Sequence, residues 1–308
     1  MKSDATTPPL VFDSIDDLMQ RLNLPRPLHP LIALLDYKKV KPDLTQAGSR
    51  FLLTFYKLSF KTSFSGQVKY GPGYYDFKEG GMAFLNPHQL VELSGEDEEY
   101  QGYALFFHPD LIRNYPLAQT IHQYGFFSYT VSEALFLSAR EKKVIASLFK
   151  AIASELANTI DAFSQDVLVS QIELLLNHSN RFYNRQFLTR KATHTDLIDR
   201  MNTYLLDRYD TEKSVIAGLP SPQEVAAHLN VSQRYLSDML KSLTGKTTQQ
   251  HIHLQLIEKA KELLTQSTLS TAQIAYSLGF EHPQSFNKLF KQKTRLSPTT
   301  FRQLLTQE

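Results

Sequence analysis

A chain of 308 residues, 42% hydrophobic and 21% charged, has a water-soluble globular composition and enough length for two cores. It has no cysteine, which excludes disulfides, thiolate metal sites and cysteine nucleophiles, and no apolar run approaches the ~20 residues that cross a bilayer. The net charge of +2 says little, but from Lys241 to Arg302 nine Lys or Arg stand against three acids, Glu258, Glu262 and Glu281. A basic segment of that kind is the electrostatic footprint of a phosphate-contacting face. The opening Met-Lys-Ser-Asp-Ala-Thr-Thr-Pro-Pro lacks the apolar core of a secretory signal, so a cytoplasmic protein is expected.

Residues 1–12 read as a loosely attached arm, and Ser14 to Leu22 as a short amphipathic helix ended by Pro25, Pro27 and Pro30. From Leu31 to about Pro109 the pattern is one of strands. Arg50 to Phe60 is aromatic and β-compatible, and shorter runs follow at 67–70, 74–77, 82–85, 90–93 and 100–107. Gly71-Pro72-Gly73, Gly80-Gly81, Asn86-Pro87 and Ser94-Gly95 separate them as turns, which predicts an antiparallel sandwich or small barrel. Helical periodicity then takes over. Ser138 and Glu141 form a capping box, followed by an apolar stripe of Val144, Ile145, Leu148, Phe149, Ile152 and Leu156. A second helix carries Leu168, Ile172, Leu175, Leu176, Ser179 and Tyr183 on one face. Leu168, Ile172, Leu175 and Leu176 are the candidates for dimerisation, the alternative being that the two helices pack on the barrel of their own chain. Residues 186–195 are polar and read as a linker, after which Asp196 to Tyr209 opens an all-helical half.

In that half a two-helix pattern occurs twice. The first copy runs Ser221-Pro-Gln-Glu-Val-Ala-Ala-His-Leu-Asn-Val-Ser-Gln-Arg-Tyr-Leu, the second Ser270-Thr-Ala-Gln-Ile-Ala-Tyr-Ser-Leu-Gly-Phe-Glu-His-Pro-Gln-Ser-Phe. Each opens on a capping signature, Ser221 with Glu224 and Ser270 with Gln273, and turns at Asn230 or Gly279. In such helix-turn-helix units the second helix enters the major groove. With Leu236, Met239, Leu240 and Leu243 inward, the outward face of the first reading helix is Gln233, Arg234, Ser237, Asp238 and Lys241, with Ser232 as cap. Arg and Gln suit bidentate contacts with guanine and adenine edges. In the second, Phe286, Leu289 and Phe290 turn inward and leave Gln284, Ser285, Asn287, Lys288 and Lys291 outward, with Pro283 in the first turn. Tyr235 and Lys246 complete the candidate DNA-binding set. The alternative for any one such helix is ordinary solvated surface; two copies with matched caps and turns weigh against it. Asp238, repelled by phosphate, is assigned to a base or to a structural partner. Between the units, Gln249 to Thr265 reads as one spacer helix with Ile252, Leu256, Ala260, Leu263 and Leu264 inward.

From about Asp196 onward the chain resembles the AraC/XylS family of transcription regulators. The resemblance rests on Ile274-Ala275, Gly279-Phe280, Phe286, Phe290-Lys291, Ser297-Pro298 and Phe301-Arg302 in the second unit. Leu236, Leu240-Lys241 and Thr244-Gly245-Lys246 carry it in the first, and Ala260 and Leu263-Leu264 in the linker helix. Three positions depart from the family pattern: Leu256 for a usual arginine, Arg295 for a glycine, and Ser285 for an aromatic. The resemblance implies a cupin-like barrel with a helical hairpin over 1–185, sensing a ligand or mediating dimerisation, and a DNA-binding domain over 196–308. It also implies double-stranded promoter or operator DNA as partner, with RNA polymerase, a homodimeric second copy and a sugar or aromatic effector beside it.

The candidate effector lining is aromatic: Tyr56, Tyr70, Tyr74, Phe77, Phe84 and Tyr103, with Tyr75 alongside. These residues serve equally well as a ligand-free core. No His-x-His pair occurs between Leu31 and Phe107, where His88 is isolated, and His251 and His253, two apart on a helix, point in different directions. No metal, cofactor or catalytic residue is therefore assigned. There is no Gly-x-Gly-x-x-Gly, Gly-x-x-x-x-Gly-Lys or Gly-x-Ser-x-Gly motif. The expected function is ligand-responsive transcription regulation. One alternative is an effector-independent regulator whose N-terminal half only dimerises; another is a metal-free cupin-type sugar-binding or isomerase protein.

Overall fold

In the computed structural model the described residues are 9–39, 50–65, 68–70, 73–75, 80–92, 99–130, 133–210 and 218–305. The chain divides into two units, 1–186 and 187–308.

In the first unit, β1 (Leu10–Phe12), β3 (Arg50–Leu53) and β8 (Leu90–Glu92) form one sheet in the order β1-β3-β8. The second sheet has the order β10-β7-β4-β9-β2, from β2 (Ile32–Asp36), β4 (Tyr56–Ser65), β7 (Gly81–Leu85), β9 (Glu99–Phe107) and β10 (Leu135–Phe136). A small ribbon pairs β5 (Val68–Tyr70) with β6 (Gly73–Tyr75). Two sequence expectations change here. Residues 10–12 are not part of a loose arm but pair in parallel with β3, and the aromatic run from Arg50 breaks at Thr54-Phe55 into strands of different sheets.

The core between the sheets takes Phe12, Phe51 and Leu53 from one and Ala33, Leu35, Leu85, Ala104 and Phe106 from the other, joined by Ile15, Leu18 and Met19 of α1 (Ile15–Arg21). The other face of the five-stranded sheet is equally apolar, because helices cover it. After the short α2 (Pro109–Ile112) and α3 (Pro116–Thr120) come α4 (Ala139–Ala157) and α5 (Ser164–Thr189). Phe149 of α4 stacks on Phe60 and Tyr103, while Tyr183 of α5 meets Phe84 and Phe126. Arg185 ties the helices together through Glu141, at 2.6 Å. Burial on both faces is why these strands do not read as simple inside-outside alternation.

The second unit is helical: α6 (Lys191–Asp210), α7 (Pro222–His228), α8 (Gln233–Thr244), α9 (Thr248–Gln266), α10 (Thr271–Ser277), α11 (Pro283–Thr294) and α12 (Pro298–Leu305). Residues 186–195, expected as a linker, lie almost wholly in α5 and α6. Their polar composition conceals two buried rings, Phe187 and His194. His194 bridges the Phe187 carbonyl through Nδ1 and the Tyr235 hydroxyl through Nε2, at 2.9 and 3.2 Å. The core of the unit follows the 3.6-residue period. Met201, Leu205 and Tyr209 of α6, Ile252, Leu256, Ala260 and Leu264 of α9, and Phe286 and Phe290 of α11 are all buried. Leu256 is fully enclosed, so an apolar residue at this departure from the family pattern serves the packing.

Candidate nucleic-acid interface

The two helix pairs are built by the same local devices. The Ser221 amide donates to Glu224 Oε2 at 2.7 Å and the Glu224 amide to Ser221 Oγ at 3.2 Å; at Ser270 and Gln273 the distances are 2.8 and 3.2 Å. The Ser221 amide holds the Glu224 carboxyl below its ordinary range. Each first helix ends in a turn with positive φ, 56° at Asn230 and 90° at Gly279, residues that tolerate that backbone. Leu229, Leu278 and Phe280 anchor the turns in the core.

On α8, Leu236, Met239 and Leu240 are buried and Leu243 half-buried, which turns Gln233, Arg234 and Lys241 outward. Ser237 and Asp238 sit at the margin. Arg234 Nε lies 2.9 Å from Asp238 Oδ2, one turn on, so the acid that phosphate would repel is a partner of the arginine. Ser232 Oγ accepts from the Tyr235 amide at 3.2 Å and caps the helix. Tyr235 itself must leave the DNA-contacting set. It is buried, its hydroxyl meets His194 and its ring packs edge-on against Phe187 at 5.3 Å. On α11, Gln284, Ser285, Asn287, Lys288 and Lys291 are exposed over buried Phe286 and Phe290, and Pro283 is half-buried at the start. Lys246 is exposed just after Gly245 closes α8.

The charge is not evenly available. Lys259 and Lys261 on α9 are paired with Glu262 and Glu258, and Arg302 Nε donates to the Leu264 carbonyl at 3.0 Å. Lys241, Lys246, Lys288, Lys291 and Lys293 have no ion pair among the described residues. Five lysines without an ion pair among the described residues therefore sit on and beside the two outward helices.

A helix-turn-helix domain model matches residues 225–304, and an AraC-like ligand binding domain model matches residues 65–172. The HTH-type transcriptional activator RhaS of Klebsiella pneumoniae (strain 342) is 30% identical over 235 residues, covering 74% of this chain and 78% of that protein. The chain belongs to the AraC/XylS family of transcription regulators. A second relative, the HTH-type transcriptional regulator YfiF of Bacillus subtilis (strain 168), is 23% identical over 261 residues, 82% of this chain and 77% of its own. Among solved structures, the C-terminal domain of AraT, a response regulator from Geobacillus stearothermophilus, is 28% identical, covers 35% of this chain and 84% of that one, with a TM-score of 0.31.

The expected effector and dimer residues are placed differently. Tyr56, Phe84 and Tyr103 lie on the helix-facing side of the five-stranded sheet, not between the sheets, because their strand parity is that of Leu58, Phe60 and Phe107. Tyr56 stacks on Phe107 at 4.8 Å, and Phe84 packs on Phe126 at 4.3 Å. The side chains of Tyr70 and Tyr74, and Phe77 altogether, lie outside the described residues. The residues of opposite parity on β4, Lys57 and Ser59, stand in register with Phe106, Leu85 and Ala104 of the core cluster. Leu168, Ile172, Leu175 and Leu176 are buried inside their own unit and are not free to form a dimer surface. The exposed apolar side chains of α5 are Val167, Leu174 and Leu188, with Phe163 just before it. His251 and His253 engage Thr244 and Gln249 instead of a common ligand, each at 2.8 Å.

Proposed function

We propose that this regulator reads a bipartite DNA site with each protomer, laying α8 and α11 into successive major grooves. The observation that carries the reading is the pair of matched caps and turns that expose two polar helices, each accompanied by lysines with no ion pair among the described residues. Gln233, Arg234 and Ser237 take base edges in one groove, and Gln284, Ser285 and Asn287 in the next, about 34 Å along the duplex. Ser232, Lys241, Lys246, Lys288 and Lys291 take phosphates. Residues 1–186 sense a small ligand and dimerise, the latter through Phe163, Val167 and Leu174, which share one face of α5 and its start. The protein acts in the cytoplasm on promoter DNA, where RNA polymerase is the downstream partner.

The test is selection from a random duplex pool followed by anisotropy titration. Enrichment of two conserved segments one helical turn apart is expected. Affinity should fall roughly 10²-fold between 50 and 200 mM salt, as neutralising about four phosphates requires. A single contiguous motif, or affinity that barely responds to salt, refutes this docking.

A further inference from the structure

The two helix pairs match in their opening caps and turns, but their second helices differ at the third residue. Counted from the cap positions Ser232 and His282, that residue is Tyr235 on α8 and Ser285 on α11. Ser285 is exposed, whereas Tyr235 is buried against two further rings. Phe187, His194 and Tyr235 pack edge to face, with ring centres 5.3 to 6.4 Å apart. The hydrogen bonds of this cluster run in one direction. Burial lowers the His194 pKa from its ordinary 6.5, so the ring is neutral at pH 7. A backbone carbonyl can only accept, so Nδ1 carries the proton toward Phe187 and Nε2 accepts from the Tyr235 hydroxyl. The Phe187 carbonyl lies in the last turn of α5, where carbonyls lack a donor within the helix and can hold such a partner.

This contact does something to α8 that its apolar stripe does not. Leu236, Met239 and Leu240 bury the helix through contacts without direction, which set its depth more than its rotation. The bond from the Tyr235 hydroxyl is directional, and it acts one residue after Arg234 and two after Gln233. Turning a helix by about 10° moves a side-chain tip about 5–6 Å from its axis by about 1 Å. A recognition geometry tolerates only about 0.5 Å.

We propose that His194 is a positioning residue for base recognition: through Tyr235 it fixes the rotation of α8, so that Gln233 and Arg234 meet the base edges. Ser285, exposed at the matching position, offers α11 no counterpart. The inference rests on the reading of α8 as a helix that enters the major groove, and adds the group that sets its angle there.

Single base-pair substitutions in each half of the duplex enriched from the random pool test it, with the affinity lost at each read by anisotropy. Arg234→Ala marks the half under α8. There a substitution should cost the wild type about 10-fold, and under α11 a smaller factor. Tyr235→Phe keeps the ring and loses only the hydroxyl. It should shrink the penalty under α8 to about 2- to 3-fold, while the penalty under α11 and the affinity for random duplex stay as they were. His194→Leu removes both bonds and should act as Tyr235→Phe does. His194→Gln, whose amide donates and accepts as the neutral ring does, should restore most of the penalty. If His194→Leu fails to fold, Tyr235→Phe decides alone. An undiminished penalty in Tyr235→Phe, equal shrinkage in both halves, or a His194→Gln protein no better than His194→Leu overturns the proposal. Wild-type protein without base preference in either half refutes groove entry by α8 itself, and the positioning role falls with it.

Discussion

Replacing Asp238 by asparagine should loosen base discrimination while strengthening non-specific DNA binding. Asp238 takes the Nε of Arg234 at 2.9 Å, which fixes one edge of a guanidinium whose planar fork matches guanine O6 and N7. The pair is half-exposed, with side-chain accessibilities of 47% and 27%, so it contributes only about 0.3–0.5 kcal/mol to folding. Tm should therefore move by no more than about 2 °C. On DNA two terms oppose each other. Removing one negative charge about 8 Å from phosphates is worth roughly 0.5–1 kcal/mol at near-solvent dielectric, which tightens binding to any duplex about 2- to 5-fold. Releasing the guanidinium restores up to about 1–2 kcal/mol of rotamer entropy that cognate binding must again remove. The ratio of cognate to random-duplex affinity, read by anisotropy at fixed salt, should thus fall about 3- to 30-fold. An unchanged ratio refutes the positioning role. A cognate loss that leaves Arg234→Ala as damaging as before would make Asp238 a base acceptor in its own right.

Arg295 ends α11 with φ of 69°, where Gly245 ends α8 at 72°; Arg295→Gly should stabilise the protein by about 0.5–1 kcal/mol, and a lowered Tm would refute left-handed strain there. Burial holds the His194 pKa below its ordinary 6.5, with Arg190 adding to the effect and the Phe187 carbonyl opposing it. The neutral ring is therefore the folded form: its contribution is complete above pH 6.5 and is lost as pH falls toward the folded value. His251 and His253 are shifted the same way by burial, so His194→Gln should reduce, not abolish, the fall in Tm between pH 7 and 5. Phe163→Glu with Leu174→Glu should give soluble monomer by sedimentation, while Leu168→Glu, which buries a charge, should abolish folding. Dimer persisting in the double variant refutes the α5 surface.

The helical half was legible because its signals are local. A serine three residues before Glu or Gln, a Gly or Asn at the turn and apolar residues at i, i+3 and i+4 each act within one or two turns of helix. The same rule failed at Tyr235 and over residues 186–195. There burial depends on a contact across 41 residues, His194 with Tyr235, that no local pattern announces. In the β half the strands were marked by their turns, but which face looks inward was not. Alternation in Tyr56-Lys57-Leu58-Ser59-Phe60 sorts two sets without saying which meets another sheet and which meets helices. For that reason Tyr56, Phe84 and Tyr103, expected as a lumen lining, fall on the helix-facing side. The faces of α5 are ambiguous in the sequence for a similar reason: a helix buried on one side and apolar in part on the other offers two stripes.

The two reading helices are unequal in ways that bear on how they share the work. α8 carries its own side-chain cap from Ser232 and a geared pair, Arg234 with Asp238, on a helix pinned behind by the Tyr235–His194 contact. α11 starts at His282 and Pro283 without a side-chain cap, and carries three lysines, Lys288, Lys291 and Lys293, with no acid outward on the helix itself. An oriented guanidinium fork loses little entropy on meeting a base, whereas lysine is a point charge on a flexible stem that suits any phosphate. The uncapped first turn of α11 adds N–H groups of the same indifferent kind. Discrimination should therefore concentrate in the half-site under α8, and the salt slope under α11. It follows that Ser285, where family members carry an aromatic, tunes a helix whose main contribution is anchoring, which makes that position tolerant of the change.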